Sequence, residues 1–426
     1  MHRSLVALFS LALTGSALAQ WADIQKLGVG GESYVSTDGK GSVYATGHNP
    51  SRLYVSKDFG KTFAPGIDLP DSFCDVTSTV GPSGKLYVIY IKPNVAGMQV
   101  VTLAPDGRSV EVGGAITGPY DREWIVVHPK TGEIGFDYSD GYIGGPKSKG
   151  VFYAASTDDG RSFKTIARID REPDGSYPVD PYLTIGSSGR IYAAWATSSD
   201  YNHIDKYKVA TSDDGGKTWA NHTDMATTHP GFGDTQERWM LGSITAVGED
   251  TAVMIYEDYL SLSVDGQEIK PLLDFYRVTT DGGKTWSAAR TCTAPREIED
   301  SMRSFVKSNG KLALTGTYCQ TLPWVGSDPQ GRVHLAYVDN RAGTTFLGDK
   351  RAGLWQVRYS VMNNPKSGFG PSERVSHDWA AIRPPLDFIG CCSDGANVWI
   401  SWTENQGKVA GWDFTGDLFI GHKPLK

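Results

Sequence analysis

The stretch SKDFGKTF, at residues 56–63, is the first of four octapeptides that share one pattern. In each of them Ser or Thr stands first, Asp third, Gly fifth, Ser or Thr seventh and an aromatic residue last. The other three are STDDGRSF at 156–163, SDDGGKTW at 212–219 and TTDGGKTW at 279–286. Four copies with five shared positions each indicate a structural repeat.

The octapeptide has the composition of a tight turn between two β-strands. Asp, Ser and Thr side chains hydrogen-bond to turn backbone, Gly adopts a positive φ, and the aromatic residue packs into a sheet. A weaker copy lies at 103–110, where Pro105 replaces the Asp. The third positions of the five copies are 58, 105, 158, 214 and 281, which are 47, 53, 56 and 67 residues apart. This spacing fits one four-stranded sheet per repeat.

A second recurrence marks the first strand of each sheet. An aromatic residue opens a short strand, and an alternating strand follows about ten residues later. The clearest examples begin at Tyr34, Trp124, Tyr182 and Trp324. We therefore predict an all-β, seven-bladed β-propeller of sialidase-like type, with blades that start near residues 32, 73, 122, 180, 237, 322 and 386. Six blades remain an alternative if one weak unit is an insertion.

Two segments complete this interpretation. Residues 21–27 would supply the missing fourth strand of the last blade and close the ring, which removes open sheet edges. Residues 293–320 are surplus to the repeat, and Asn309 followed by a glycine predicts an inserted hairpin there. Helical periodicity is nearly absent from the chain.

The N-terminus is typical of a secretory signal peptide. Arg3 precedes an apolar run at 4–18, and Ala17 and Ala19 flank Leu18 as in a small-x-small cleavage site. We expect residues 1–19 to be removed, residues 20–426 to form a single β-propeller domain, and the product to be secreted and extracellular. The formal net charge of −7 and the lack of a Lys/Arg run argue against nucleic acid and membrane partners.

The chain has five cysteines, an odd number that leaves at least one thiol unpaired within it. We predict a disulfide between Cys292 and Cys319, across a long connection. No Cys-x-x-Cys pair or other metal-binding motif is present in the sequence, so we predict no metal site and no cofactor. Asn221, followed by His and Thr, is a glycosylation sequon.

The four octapeptides resemble the Asp boxes of the sialidase, or bacterial neuraminidase repeat (BNR), superfamily, and the resemblance spans roughly residues 32–420. It implies a sialidase-like propeller with glycan-cleaving activity. Asp boxes in that superfamily lie away from the active face, which implies structural roles for Asp58, Asp158, Asp214 and Asp281. True exo-sialidases carry a Tyr-Arg-Ile-Pro-like motif at the first inner strand, and its Arg grips the substrate carboxylate. The matching place here is ESYV at 32–35, without Arg, which argues against sialic acid as the substrate.

Propeller ligands usually bind at one mouth of the central channel, where the inner strands begin. Two such places, 121–124 and 237–239, combine an acid and an Arg directly before a Trp. Glycoside cleavage uses two carboxyl groups, one of them with a raised pKa, while Arg grips carboxylates and Trp offers a flat face to a sugar. The predicted catalytic acids and bases are Asp121, Glu123 and Glu237. The predicted substrate-binding residues are Arg122, Trp124, Arg238, Trp239, His48, Asp180, Tyr201, Arg341 and Asp387. The alternative for each is a structural ion pair or packing role along the channel.

The sequence thus predicts a secreted carbohydrate-active protein, foremost a sialidase-like glycoside hydrolase that acts as a monomer on extracellular glycans or glycoproteins. Two alternatives stay open. One is a non-catalytic propeller that binds a glycan or a protein. The other is a uronate-directed polysaccharide lyase, in which His48 or His203 beside a Tyr abstracts a proton α to the uronate carboxylate.

Overall fold

The computed structural model describes residues 21, 23–142, 145–172, 176–200, 204–227, 242–264, 266–309, 318–341, 344–347, 350–376, 380–381, 389–404 and 416–425. The predicted signal peptide lies outside these residues. So do six of the residues named above: Tyr201, His203, Glu237, Arg238, Trp239 and Asp387. Within the described part, no helix combines the length and the apolar character needed to cross a bilayer.

Nearly all regular structure is antiparallel β-sheet, as the repeats predict. The first and second sheets contain β1 (Asp23–Thr37), β2 (Val43–His48), β3 (Arg52–Ser56), β4 (Ile67–Asp68), then β5 (Cys74–Val80), β6 (Leu86–Ile91), β7 (Gly97–Leu103) and β8 (Val110–Thr117). The third and fourth contain β9 (Tyr120–Val127), β10 (Ile134–Asp140), β11 (Val151–Ser156), β12 (Lys164–Arg168), then β13 (Tyr177–Ile185), β14 (Ile191–Ser198), β15 (Lys206–Ser212) and β16 (Ala220–Thr227).

The later sheets carry additions to the same plan. The fifth contains β17 (Gly242–Val247), β18 (Thr251–Tyr259), a two-stranded side hairpin of β19 (Leu262–Val264) and β20 (Gln267–Ile269), then β21 (Leu272–Thr279) and β22 (Arg290–Thr291). The sixth contains β23 (Gln320–Ser327), β24 (Val333–Asp339), β25 (Thr344–Leu347), β26 (Lys350–Met362), β27 (Glu373–Arg374) and β28 (Ala380–Ala381). The seventh contains β29 (Gly390–Ser393), β30 (Asn397–Glu404) and β31 (Gly416–Pro424). The helical elements are a 3-10 turn at Pro93–Val95 and the helix α1 at Pro295–Asn309.

Strand β1 belongs to two sheets and closes the ring. Its residues 23–30 pair with β31, and its residues 31–37 pair with β2. The predicted closure of the last sheet by an N-terminal strand is therefore confirmed. The first strands β1, β5, β9, β13, β17, β23 and β29 contact one another in that order, and β29 contacts β1. Such a closed circuit of first strands is typical of β-propellers.

The four octapeptides form one structure, repeated at the turns between the third and fourth strands of four sheets. In the first, the Ser56 hydroxyl donates to Asp58 Oδ1 at 2.7 Å, and the Thr62 amide and hydroxyl donate to Asp58 at 2.9 and 2.6 Å. These bonds, first among them the one from the Thr62 hydroxyl, lower the pKa of Asp58 to about 2. The same bonds recur around Asp158, Asp214 and Asp281. All four Asp carboxylates thus stabilise turns.

The octapeptide turns also connect neighbouring sheets, because their glycine lets another sheet approach. Trp399 Nε1, on β30, donates to the Phe59 carbonyl at 3.1 Å, and a Cβ added to Gly60 would lie 2.6 Å from that nitrogen. A Cβ added to Gly216 would lie 2.2 Å from Tyr153 Cδ1, on β11. Both glycines also have positive φ, 78° and 81°. The fifth position therefore needs Gly both for the turn and for the contact between sheets.

The surplus segment contains a helix, so the hairpin predicted around Asn309 is wrong. Ile298 and Met302, four residues apart on α1, are both buried, and they pack with Leu273 and Tyr318. Spacing of i and i+4 places both side chains on one helical face, which gives the segment an apolar side to bury against β21. In the sequence, Ile298, Met302, Phe305 and Val306 follow the i, i+4, i+7, i+8 spacing of one helical face.

The predicted disulfide between Cys292 and Cys319 is also wrong, because Cys292 is a buried free thiol. The two residues pack into different parts of the interior. Cys292 lies with Val325 and Tyr337, whereas Cys319 belongs to the large cluster that lines most of the ring. Cys292 is held there by its amide, which donates to the Asp274 carbonyl at 2.8 Å.

Candidate functional site

Five first strands carry a bulge at the same point. The register of β1, β5, β9, β13 and β23 shifts there, and one residue in each adopts a positive φ. These residues are Glu32 (41°), Asp75 (51°), Arg122 (59°), Asp180 (48°) and Leu322 (55°). A positive φ is unfavourable for such side chains, and a bulge re-aims the residue that it contains. Four of the five re-aimed side chains are charged.

Two residues after the bulge, four of these strands carry an aromatic ring, and the four rings pack together. Trp124 lies 5.2 Å from Tyr182, 4.5 Å from Trp324 and 6.0 Å from Tyr34, measured between ring centroids. Tyr34 and Tyr182 also contact Trp324, at 5.4 and 5.9 Å. Because every first strand of the circuit faces the same axis, we define these four rings as the aromatic plug.

The plug changes the interpretation of Trp124. The sequence predicts an exposed ring that stacks on a sugar, but Trp124 is 5% exposed and its ring packs on other aromatic rings. The contacts between four different first strands come from the circular order of the sheets. A strand sequence alone does not show which residues meet across the axis.

Charged side chains from the bulges meet beside the plug. Arg122 Nε lies 3.0 Å from Asp180 Oδ1, and Arg122 Nη1 lies 3.9 Å from Asp75 Oδ2. All three residues are buried. The structure therefore brings together two predicted site residues, Arg122 and Asp180, and adds Asp75. These contacts match the structural ion-pair alternative for Arg122.

A buried His–carboxylate pair lies in the same region. Nδ1 of His48, the last residue of β2, lies 2.6 Å from Glu32 Oε2. Glu32, His48 and Asp75 each offer one potential ligand atom, and these three atoms lie within 4.8 Å of one another. The predicted site residue His48 therefore contacts Glu32, at the bulge of its own sheet, and lies close to Asp75, at the bulge of the next sheet.

Glu123, one of the predicted catalytic residues, is deeply buried, at 1% exposure. Neither carboxylate oxygen has a hydrogen-bond partner on another described residue. Burial, and then the negative charges of Asp75 and Asp121, hold its pKa well above the ordinary value. Both effects favour the neutral, protonated form of the Glu123 carboxyl over its ionised form.

Asp121 lies two residues before Glu123 and is only half-buried. Its Oδ1 accepts a hydrogen bond from the Arg122 amide at 3.2 Å. The two predicted catalytic residues thus occupy different environments on one strand: one carboxyl is sealed from water and the other reaches it. Two neighbouring carboxyl groups can act as an acid and a base when one is shielded from water and the other is exposed to it.

Asp75 is the residue that the sequence interpretation missed. It stands two positions before Thr77, at the place where the other four bulged strands carry the aromatic residues of the plug. Because residue 77 is not aromatic, the sequence does not show how the first strand of the second sheet aligns with the other first strands. The signal that could have located Asp75 is its place, 43 residues after Glu32, since the third positions of the first octapeptide and the weaker copy are a similar 47 residues apart.

Two further predicted residues lie in other surroundings. Arg341 Nε lies 2.6 Å from Asp339 Oδ2, and its Nη1 lies 3.1 Å from Glu297 Oε1 on α1, so Arg341 joins α1 to the sixth sheet. The Asn221 amide nitrogen donates to Thr211 Oγ1 at 2.8 Å. Asn221 as a glycosylation site stays a prediction.

A family model of the BNR/Asp-box repeat matches residues 277–288, which include the fourth octapeptide. The repeat predicted from the sequence is thereby confirmed. No curated protein matches the chain.

Several solved structures are similar in outline at low sequence identity. A GH93 α-L-arabinofuranosidase of Fusarium graminearum, in complex with arabinobiose, is 13% identical over 82% of this chain and 92% of that one, with a TM-score of 0.48. The α-L-arabinanase of Penicillium chrysogenum with arabinobiose is 15% identical over 72% and 93%, with a TM-score of 0.42. The polysaccharide lyase Uly1 is 10% identical over 92% and 90%, with a TM-score of 0.47. All three scores lie below 0.5, which is a likeness in outline only.

Proposed function

We propose that the chain is a secreted, carbohydrate-active enzyme, a glycoside hydrolase on a seven-bladed propeller of sialidase-like type. Its substrates are extracellular glycans or glycoproteins, and it works as a monomer. The closed circuit of first strands supports the propeller. The single observation that carries the chemistry is the buried carboxyl of Glu123, with its raised pKa, next to the half-exposed carboxyl of Asp121.

Glu123 is the proposed general acid. Cleavage of a glycosidic bond requires a proton on the leaving oxygen, and a carboxyl group can supply it at neutral pH only if its pKa is raised. Burial and two neighbouring carboxylates raise the pKa of Glu123. Asp121, which reaches solvent, is the proposed base or nucleophile on the sugar side. Arg122 positions the neighbouring carboxylates through its contacts with Asp180 and Asp75.

The test is a screen of the purified protein against arabinans, sialosides and uronate-bearing glycans, with released reducing sugar as the readout. We expect Glu123→Gln to abolish release while the chain stays folded, because the amide has no acid proton. Asp274→Asn is the matched control. Asp274 is also buried, has a pKa raised first by burial, and has no hydrogen-bond partner for its oxygens among the described residues. The control should keep its activity.

The outcomes separate the alternatives. Full activity in Glu123→Gln would remove Glu123 from the mechanism. Binding on a glycan array without release of any sugar from the glycans tested would instead favour a non-catalytic binding propeller.

One observation favours the lyase as a second candidate. The short contact between His48 Nδ1 and Glu32 orients the imidazole, an arrangement that general bases use. A lyase would leave an unsaturated uronate that absorbs ultraviolet light, whereas a hydrolase would not. His48→Gln would abolish that absorbance if His48 is the base.

A further inference from the structure

We propose that Glu32, His48 and Asp75 bind a divalent transition-metal cation of the Zn²⁺ class, which joins the first and second sheets. The proposal is independent of the reaction, because it concerns the stability of the ring. It rests on the convergence of three buried ligand atoms from three strands.

The geometry suits a metal ion. The three ligand atoms lie within 4.8 Å of one another, and this is the one such group of His, Cys, Asp or Glu side chains found in the described part of the chain. Zinc bonds to imidazole nitrogen and carboxylate oxygen are about 2.0–2.2 Å long, so ligand atoms in a zinc site lie roughly 3–4 Å apart. His48 Nδ1 and Glu32 Oε2 are already 2.6 Å apart. Small rotations of the side chains would place all three around one ion.

The backbone directs both carboxylates to the same point. Glu32 and Asp75 occupy equivalent bulges on β1 and β5, with φ of 41° and 51°. β1 and β5 are neighbours in the circuit of first strands, and β2 also contacts β5. His48, at the end of β2, completes the group from the third strand. A bound ion would therefore link residues that are far apart in the unfolded chain.

The donor set selects the class of cation. One imidazole and two carboxylates suit Zn²⁺ and its neighbours among the first-row metals, whereas Ca²⁺ and Mg²⁺ prefer oxygen ligands alone. Exposure of the three residues is 3%, 1% and 7%, so the ion would be held inside the protein. Three protein ligands leave a fourth position of a tetrahedral site open.

Glu123 provides a second, independent observation next to the group. Its buried carboxyl has no hydrogen-bond partner on another described residue. Its own carbonyl accepts a hydrogen bond from Thr77 on β5, 3.2 Å away, which holds this part of β9 against the strand that carries Asp75.

The experiment measures metal content and thermal stability, not glycan cleavage. The full chain is treated with EDTA, dialysed, and then reconstituted with ZnCl2 before elemental analysis. We expect about one tightly held zinc per chain, a lower Tm after EDTA, and recovery of the Tm with zinc. Absence of stoichiometric zinc and an unchanged Tm in the folded wild-type chain would overturn the proposal.

Variants identify the ligands. His48→Gln and Asp75→Asn should each lose the zinc and the Tm increase. The matched control is His334→Gln, because His334 is also buried and bonded to a carboxylate, with Nε2 2.9 Å from Asp328 Oδ2. Zinc retained in both ligand variants would contradict the assignment. Since the wild-type measurement needs no variant, a variant that fails to fold does not remove the test, and a chain without glycosidase activity can still bind zinc.

Discussion

Arg122 Nε on β9 lies 3.0 Å from Asp180 Oδ1 on β13, and both side chains are about 5% exposed. The two residues are 58 positions apart in sequence but occupy the same bulge position of neighbouring sheets. Their contact joins the third sheet to the fourth. The ring therefore carries charged contacts between sheets directly beside the aromatic plug.

We expect Arg122→Met to destabilise the protein by about 3–5 kcal/mol, since removal of one partner leaves buried carboxylates without their counter-charge. The positive φ at position 122 is as unfavourable for Met as for Arg, so the change in the free energy of unfolding reports the loss of the charge. The free energy of unfolding in urea measures it. Arg52→Met is the control: Arg52 pairs with Asp68 at the surface, and its loss should cost less than about 1 kcal/mol. Equal effects of the two substitutions would contradict the prediction.

The raised pKa of Glu123 predicts a pH-dependent effect of Glu123→Gln on stability. In the unfolded chain the carboxyl ionises near 4.5, whereas in the folded chain it stays protonated to higher pH. The folded state therefore binds more protons, and wild-type stability falls as pH rises above about 4.5, by up to about 1.4 kcal/mol per pH unit from this group.

Gln has no proton to lose, so the variant should gain stability relative to the wild type as pH rises from 4.5 to the folded pKa. Unfolding in urea between pH 4 and pH 8 measures the difference. Glu111→Gln, at an exposed position, should show a flat difference. A flat difference for Glu123→Gln as well would show that its carboxyl ionises normally.

Substitution of the octapeptide glycines should separate turn geometry from contact between sheets. Gly215 and Gly216 both have positive φ, 73° and 81°, so Ala at either site costs about 1 kcal/mol of backbone strain. A Cβ at Gly216 would also lie 2.2 Å from Tyr153, whereas at Gly215 the nearest atom, of Glu133, is 3.6 Å away. We expect Gly216→Ala to lose a further 1–3 kcal/mol or so. Similar Tm values for the two variants would argue against the packing role.

Cys292 should react as a free thiol once the chain is unfolded. Iodoacetamide added in denaturant without reductant should label Cys292, and the buried thiol should resist labelling in the native protein. Peptide mapping by mass spectrometry reads the label, and a reduced sample provides the control. A disulfide-linked peptide that contains both Cys292 and Cys319 would contradict the structure.

The octapeptide turns could be predicted because their bonds are local. Ser56, Asp58, Gly60 and Thr62 lie within seven residues, so the side chains that form the turn are all visible in one short window. The closing strand could be predicted because a ring with an incomplete last sheet needs one more strand. The helix α1 was missed although Ile298, Met302, Phe305 and Val306 are spaced as on one helical face, because Asn309 followed by a glycine was taken to indicate a hairpin.

The candidate site was predictable only in part. Asp121, Arg122, Glu123 and Asp180 could be placed at the beginnings of inner strands from the repeat alone. Their partners could not be assigned, because a bulge with positive φ changes the direction of the side chain and leaves no clear mark in the sequence. Asp75 escaped notice for this reason, and Trp124 was expected to face a sugar when it packs into the plug.

The sequence by itself determined the all-β class, the octapeptide turns and the closure of the ring, because each depends on residues close together or on the simple count of strands. Only the tertiary structure decided which charged groups meet. Glu32 contacts His48, and Arg122 contacts both Asp75 and Asp180. Glu123 lies close enough to Asp75 for its pKa to be raised by that negative charge. The Glu32–His48 contact joins two strands of the first sheet, whereas the contacts of Arg122 with Asp75 and Asp180 join sheets built from different parts of the chain. Their distances depend on how the sheets pack around one axis, and no single stretch of sequence encodes that arrangement.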